Sequence, residues 1–244
     1  MCGRFFIETL EESVREVFRG IASFPEQASR DRYNAAPFQH IPVVRDRGTG
    51  PECAMLRWGL VPSWSEDERI GSKTINARSE TAADKPAFRD AFARRRCVIP
   101  ADGFYEWKPP VIPRGRKQPI AVRCVNEHGE HPAMLMAGLW ESWAPPDADH
   151  NLETFTILTC AANGFIEDIH PRMPVILSAE AARAWIDPAP VVSIDDAARM
   201  KRLLAARPRE RMVFHDVSSR VNDVRNDERS LCEPVEAEPD SLFG

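Results

Sequence analysis

Apolar runs of strand length recur along this chain too closely for helices to alternate with them, and that spacing constrains the fold more than any other feature. Runs rich in β-branched and aromatic residues fall at Ile41–Val44, Ala54–Trp58, Cys97–Ile99, Phe104–Trp107, Ile120–Val125, Met134–Trp140, Thr154–Cys160, Val175–Leu177 and Val213–His215. Helical patterns are few. Thr9-Leu10-Glu11-Glu12 has capping-box spacing ahead of Val14, Val17 and Phe18, which predicts a helix over 9–19. A second is predicted from Lys85 to Arg96 with Ala87, Phe88, Ala91 and Phe92 inward; Ser178 caps a third over 179–186, and Ser193 caps a fourth to about residue 205. Strands outnumber helices without a strand-helix-strand order, so the predicted class is α+β rather than a doubly wound sheet. Pro109–Pro119 and Ala144–Asn151 read as exposed connections between paired strands. No linker or internal repeat divides the chain, so one domain is expected, followed by a loosely held acidic tail over Glu233–Gly244.

At 244 residues and 43% hydrophobic content the chain can bury a sizeable core. No basic stretch followed by an apolar run opens it, and no window approaches about eighteen uninterrupted apolar residues. A cytoplasmic, monomeric protein outside the membrane is expected, associated with the nucleoid if the source is bacterial. Cysteines at 2, 53, 97, 124, 160 and 232 form no C-x-x-C pair, which suits reduced thiols rather than disulfides. A net charge of -5 argues against a general nucleic-acid coat while leaving room for a local basic groove. Cys124–His131 crowds soft ligands together, yet Asn126–Gly129 reads as a hairpin turn and no second ligand pair follows, so no metal site is predicted. The absence of H-E-x-x-H, G-x-G-x-x-G and P-loop sequences removes the common metalloprotease, dinucleotide and nucleotide readings.

Met1-Cys2-Gly3-Arg4-Phe5 is the candidate reactive segment; the alternative is that position 2 takes any small residue. Trimming Met1 leaves a terminal cysteine with a free α-amine, titrating near ~8, beside a thiol near ~8.5. Such a pair condenses with an aldehyde and closes to a thiazolidine ring. Other segments are dense in functional types. In Thr74–Glu80, Asn76 and Arg78 lie two residues apart and share one side of an extended segment, or else form a capped turn. Glu106 sits among Phe104, Tyr105 and Trp107, where burial raises a carboxyl pKa toward general acid-base use; the alternative is a solvent-facing edge. His170 and Arg172 occupy a proline-stiffened loop, as a proton carrier and an anion ligand or as simple polar contacts. Trp58 is predicted to be core, and Trp64, beyond Pro62, a candidate stacking platform or a further core residue.

Met1–Phe5, Tyr33–Pro37, Arg57–Trp64, Ile75–Glu80, Gly103–Trp107 and Ile169–Pro174, with Ser218–Asn222 as a closing segment, together closely resemble the SRAP (SOS response-associated peptidase) family. The resemblance implies a single SRAP domain over 1–232, a compact β-rich, barrel-like mixed or antiparallel sheet with flanking helices, and no cofactor. It implies that Cys2, freed of Met1, captures the ring-opened aldehyde of an abasic site in single-stranded DNA, or at a junction with duplex, as a thiazolidine crosslink. Asn76 would hydrogen-bond at the reacting centre, Glu106 transfer protons, and His170 assist Schiff-base formation. Arg4, Arg78 and Arg172 match phosphate contacts; Asn34, Pro37, Trp64 and Trp107 match further DNA contacts. The family often has a second bulky residue after the tryptophan matched by Trp64, where this chain has Ser65. Two other functions fit the same residues: a thiol peptidase using Cys2 with His170 as base, and a non-covalent reader of modified bases in DNA.

Overall fold

The computed structural model describes residues 2–21, 24–110, 115–145, 149–205 and 211–235. In chain order the strands and helices are β1 (Phe5–Ile7), α1 (Leu10–Val17), β2 (Arg32–Ala35), β3 (His40–Asp46), β4 (Pro51–Trp58), β5 (Asn76–Arg78), α2 (Arg89–Arg94), β6 (Arg96–Ala101), β7 (Gly103–Lys108), β8 (Gln118–Val125), β9 (Met134–Trp143), β10 (Leu152–Ala161), α3 (Phe165–Ile169), β11 (Arg172–Pro174), β12 (Ile176–Leu177), α4 (Ala179–Trp185), α5 (Ile194–Ala205) and β13 (Arg211–Asp216). Strands β10, β4, β3, β6 and β9 pair in that sequence, and β9 pairs back onto β10, closing a five-stranded barrel. All of its ladders are antiparallel except β10 with β4. Closure removes the edges of an open sheet. The short strands β5 and β11 attach to β10, and β12 to β9.

A second, fully antiparallel sheet runs β13-β8-β7-β1-β2. Successive side chains in a strand point to opposite faces. Phe5, Phe104, Ile120 and Val122 therefore enter the main core with the barrel, while Phe6, Tyr105 and Ala121 form a smaller core with Val217, Val221 and Leu231 of the C-terminal segment. By the same alternation Glu106 shares the barrel side with Phe104, and Trp107 faces the C-terminal segment.

The α+β class and the barrel-like sheet with flanking helices are as expected, and both proline-containing connections do join paired strands, β7 to β8 and β9 to β10. Parts of those connections, the end of the acidic tail and Met1 lie outside the described residues. Ser178 caps α4 through Ala181 N–H at 3.2 Å, and Ser193 caps α5 through Asp196 N–H at 3.0 Å. Three local expectations are corrected. The Thr9 capping box does not form, because the Thr9 hydroxyl donates to Asp102, whose carboxylate also accepts Glu8 and Thr9 N–H. The helix predicted over Lys85–Arg96 is reduced to α2, since Arg96 pairs with Leu139 as the first residue of β6 and Lys85–Phe88 forms a turn. Asn126–Gly129 is a turn, closed by Gly129 N–H to the Asn126 carbonyl, but it leads from one sheet to the other rather than forming a hairpin.

Candidate functional site

The site is built around the entrance to β1. Phe5 lies opposite Ala35 of β2 on one side and Phe104 of β7 on the other, so the residues before it emerge between two anchored strands. Trp58, fully buried as predicted, packs against Phe5 at 5.2 Å between ring centroids and donates its indole N–H to the Ile75 carbonyl at 2.8 Å. It thereby fixes the start of β5 against the start of β1. From β5, Asn76 donates through Nδ2 to the Cys2 carbonyl at 2.8 Å. Ala77 turns into the core while Asn76 and Arg78 share the opposite side, as an extended segment requires.

Cys2 is 0% exposed. Burial, and then the negative charge of Glu106, pushes its thiol up to about 12. Glu106 is itself 5% exposed on β7, opposite Ile120. Burial lifts its carboxyl above the usual range, and the neighbouring His170 imidazole pulls the other way. His170 reaches this position because α3 packs on β7 and ends with the His170 N–H on the Ile166 carbonyl at 2.8 Å. Its Nδ1 lies 3.0 Å from the Arg172 backbone nitrogen and 2.9 Å from the Arg172 carbonyl oxygen. Asn76, Cys2, Glu106 and His170 thus form one continuous set, although they come from β5, the amino-terminal segment, β7 and the end of α3.

Cationic and aromatic groups surround this set. Arg4 donates to Asn34 Oδ1 at 2.8 Å, to the Val221 carbonyl at 2.6 Å and to the Asn222 carbonyl at 3.4 Å. Arg78 is exposed at the end of β5. Arg172 forks onto Glu80 at 2.7 and 2.8 Å, and that hydrogen bonding holds the Glu80 carboxyl below the usual range. Trp107 donates its indole N–H to Asn222 Oδ1 at 2.7 Å. Trp64 is 56% exposed beside a cavity of about 620 Å³ lined also by Arg69, Ile70 and Lys73. Its loop folds back where Gly59, at φ +121°, meets Gly71; a Cβ on Gly59 would lie 2.9 Å from the Gly71 carbonyl oxygen. Pro37 is half-buried in the turn after β2. Asn34, expected to touch DNA, is 1% exposed, and its amide donates to the carbonyls of Val221, Asp223 and Asn226 at 2.8–3.2 Å. Its side chain is a clamp between Arg4 and the C-terminal segment.

The sequence model of the SOS response associated peptidase (SRAP) family matches residues 1–224. This chain is a member of the SRAP family. It is 38% identical to the abasic site processing protein YoqW of Bacillus subtilis (strain 168), over 96% of this chain and 99% of that protein. To the abasic site processing protein HMCES of Gallus gallus it is 35% identical, over 85% of this chain and 67% of that one. A crystal structure of a protein from Bacteroides thetaiotaomicron has the same fold, with a TM-score of 0.74 at 23% identity, covering 96% of this chain and 99% of the other.

The supports of this candidate site carry no local sequence signal: Asp102 ties the end of β1 to the β6–β7 corner, and Val221 and Asn222 hold Arg4 and Trp107. No spacing rule links positions so distant in the chain. Among the described residues, no three His, Cys, Asp or Glu side chains are grouped to hold a metal, and no helix is long and apolar enough to cross a membrane.

Proposed function

We propose that this protein processes abasic sites in single-stranded DNA by crosslinking itself to them through Cys2 after Met1 is removed. The reading is carried by one observation: Asn76 holds the carbonyl of a buried Cys2, Glu106 lies beside its thiol, and His170 lies beside Glu106. With Met1 attached, the Cys2 nitrogen is an amide and its thiol is buried, so processing precedes chemistry. The freed amine adds to the aldehyde of the ring-opened sugar. Glu106, whose proton affinity burial raises, gives a proton to the departing hydroxyl, releasing one water and leaving an iminium. The sulfur then closes on the iminium carbon while its proton returns to Glu106, so the carboxyl is regenerated and the thiazolidine forms. A thiol held so high carries little thiolate near neutral pH, and an adjacent carboxylate supplies the base that solvent does not. Asn76 holds the Cys2 carbonyl and with it the orientation of amine and sulfur. His170 assists the imine step from beside Glu106.

Arg4, Arg78 and Arg172 bind phosphates on either side of the lesion, and Pro37, Trp64 and Trp107 shape the channel. Asn34 acts through Arg4. The test is incubation with an oligonucleotide bearing one abasic site, read by denaturing gel and intact mass. The expected species has the mass of the protein without Met1 plus the oligonucleotide less one water, and Cys2→Ala abolishes it. An adduct surviving in Cys2→Ala refutes the mechanism; binding with no covalent species in the wild type favours a reversible reader instead.

A further inference from the structure

Phe38 is the only non-glycine residue at positive φ among the described residues, at 71°. A bulky side chain adopts this conformation only at a cost, so its persistence calls for a compensating reason. Burial is not the reason: the ring is 51% exposed. The backbone is held instead, by Phe38 N–H on the Trp58 carbonyl at 2.8 Å and Trp58 N–H on the Gln39 carbonyl at 3.0 Å. These bonds seat Phe38 at the end of β4, from which the chain continues through Gly59 to the loop presenting Trp64. Phe5, the first residue of β1, pairs with Ala35, the last of β2. Cys2 and Phe38 therefore emerge from the same end of that strand pair.

We propose that Phe38 is a stacking platform for a nucleobase next to the abasic nucleotide. The proposal rests on the abasic-site reading above and assigns the strand a further contact. An abasic nucleotide has no base to stack, so aromatic faces serve its neighbours, and any base has a face to offer. Rigid presentation at the tip of a hydrogen-bonded turn avoids ordering the ring on binding, which is what the strained backbone gains.

Phe38→Gly separates the two effects, because glycine relieves the positive φ and removes the ring; Phe38→Asn, which also tolerates this region, is the companion variant. Reversible binding is measured by anisotropy with a single-stranded oligonucleotide carrying tetrahydrofuran, an abasic analogue without an aldehyde. A 2-aminopurine is placed in turn on either side of it to report stacking. Expected are unchanged or raised melting temperatures for both variants, about tenfold weaker binding, and loss of the 2-aminopurine quenching seen with wild type on one side. Wild-type affinity with unchanged quenching in both variants overturns the proposal, as does a fall in melting temperature, which would make the ring a packing element. Failure of wild-type protein to crosslink an authentic abasic oligonucleotide bears on the parent reading and not on Phe38.

Discussion

Replacing Glu106 by Gln is expected to move activity and stability in opposite directions. Glutamine keeps the volume of the side chain, so the β7 pairing with β8 at Ile120 and the packing against the barrel are retained. On the proposed mechanism the lost function is proton transfer, first to the departing hydroxyl and then from the thiol. General acid-base catalysis of this kind contributes about 100- to 10,000-fold, so the crosslinking rate should fall within that range while binding to the abasic analogue stays within about twofold. Stability follows from where the proton resides. Burial raises the folded-state pKa of Glu106, so between the ordinary carboxyl pKa and the raised one the folded protein holds a proton that the unfolded chain has released. Wild type therefore loses stability as pH rises through that window, and each tenfold difference in proton affinity is worth about 1.4 kcal/mol. Glu106→Gln does not titrate. Its stability relative to wild type should rise from acid toward neutral pH and level off above the raised pKa. Urea unfolding from pH 4 to 8, paired with single-turnover crosslinking over the same range, measures both. A variant that crosslinks at the wild-type rate, or whose stability difference does not change with pH, refutes the assignment of Glu106 as a buried proton carrier.

Asn34→Ala removes the bond from Arg4 to Asn34 Oδ1 and the bonds the Asn34 amide donates to the carbonyls of Val221, Asp223 and Asn226, leaving Arg4 its direct bond to Val221, and should cost about 3 kcal/mol in urea unfolding. Proteolysis should become faster in the segment after β13, and an unchanged cleavage pattern counts against the clamp. Glu80→Gln frees the Arg172 fork from its carboxylate. Affinity for single-stranded DNA should rise, with a salt dependence steeper by about 0.7 in log-log slope; weaker binding would instead make Glu80 the residue that aims Arg172. Gly59→Ala forces a Cβ against the Gly71 carbonyl at a backbone angle alanine resists, so the melting temperature should drop and DNA affinity with it, as the Trp64 loop shifts. Circular dichroism melting and anisotropy check both.

The long strands were legible because they obey one rule: each apolar run from Ile41 to His215 falls in or at the edge of a strand, packed on one or both faces. The short strands β1, β2, β5 and β11 were not. Each spans three or four residues, and all but β1 carry polar side chains; they are strands only because distant segments pair with them, as Phe5 does with Ala35 and Phe104. Yet these pieces deliver Arg4, Asn34, Asn76, Arg78 and Arg172. The candidate nucleophile was read from the chemistry of a terminal cysteine, and its grouping with Asn76, Glu106 and His170 from a family resemblance rather than from any local pattern.

That division has a physical origin. A polar residue at a reacting centre weakens the apolar alternation by which a strand is read, so the strand holding it needs anchors elsewhere. Trp58 supplies one by bridging Phe5 and Ile75, Asp102 a second by gripping Glu8 and Thr9, and Asn34 a third by joining Arg4 to the C-terminal segment. All three anchors are buried and lie outside the set that surrounds Cys2. Because the scaffold holds the short strands from outside, Glu106 remains buried beside a sulfur with a raised pKa, and the proton affinity that burial confers is what the proposed reaction would draw on.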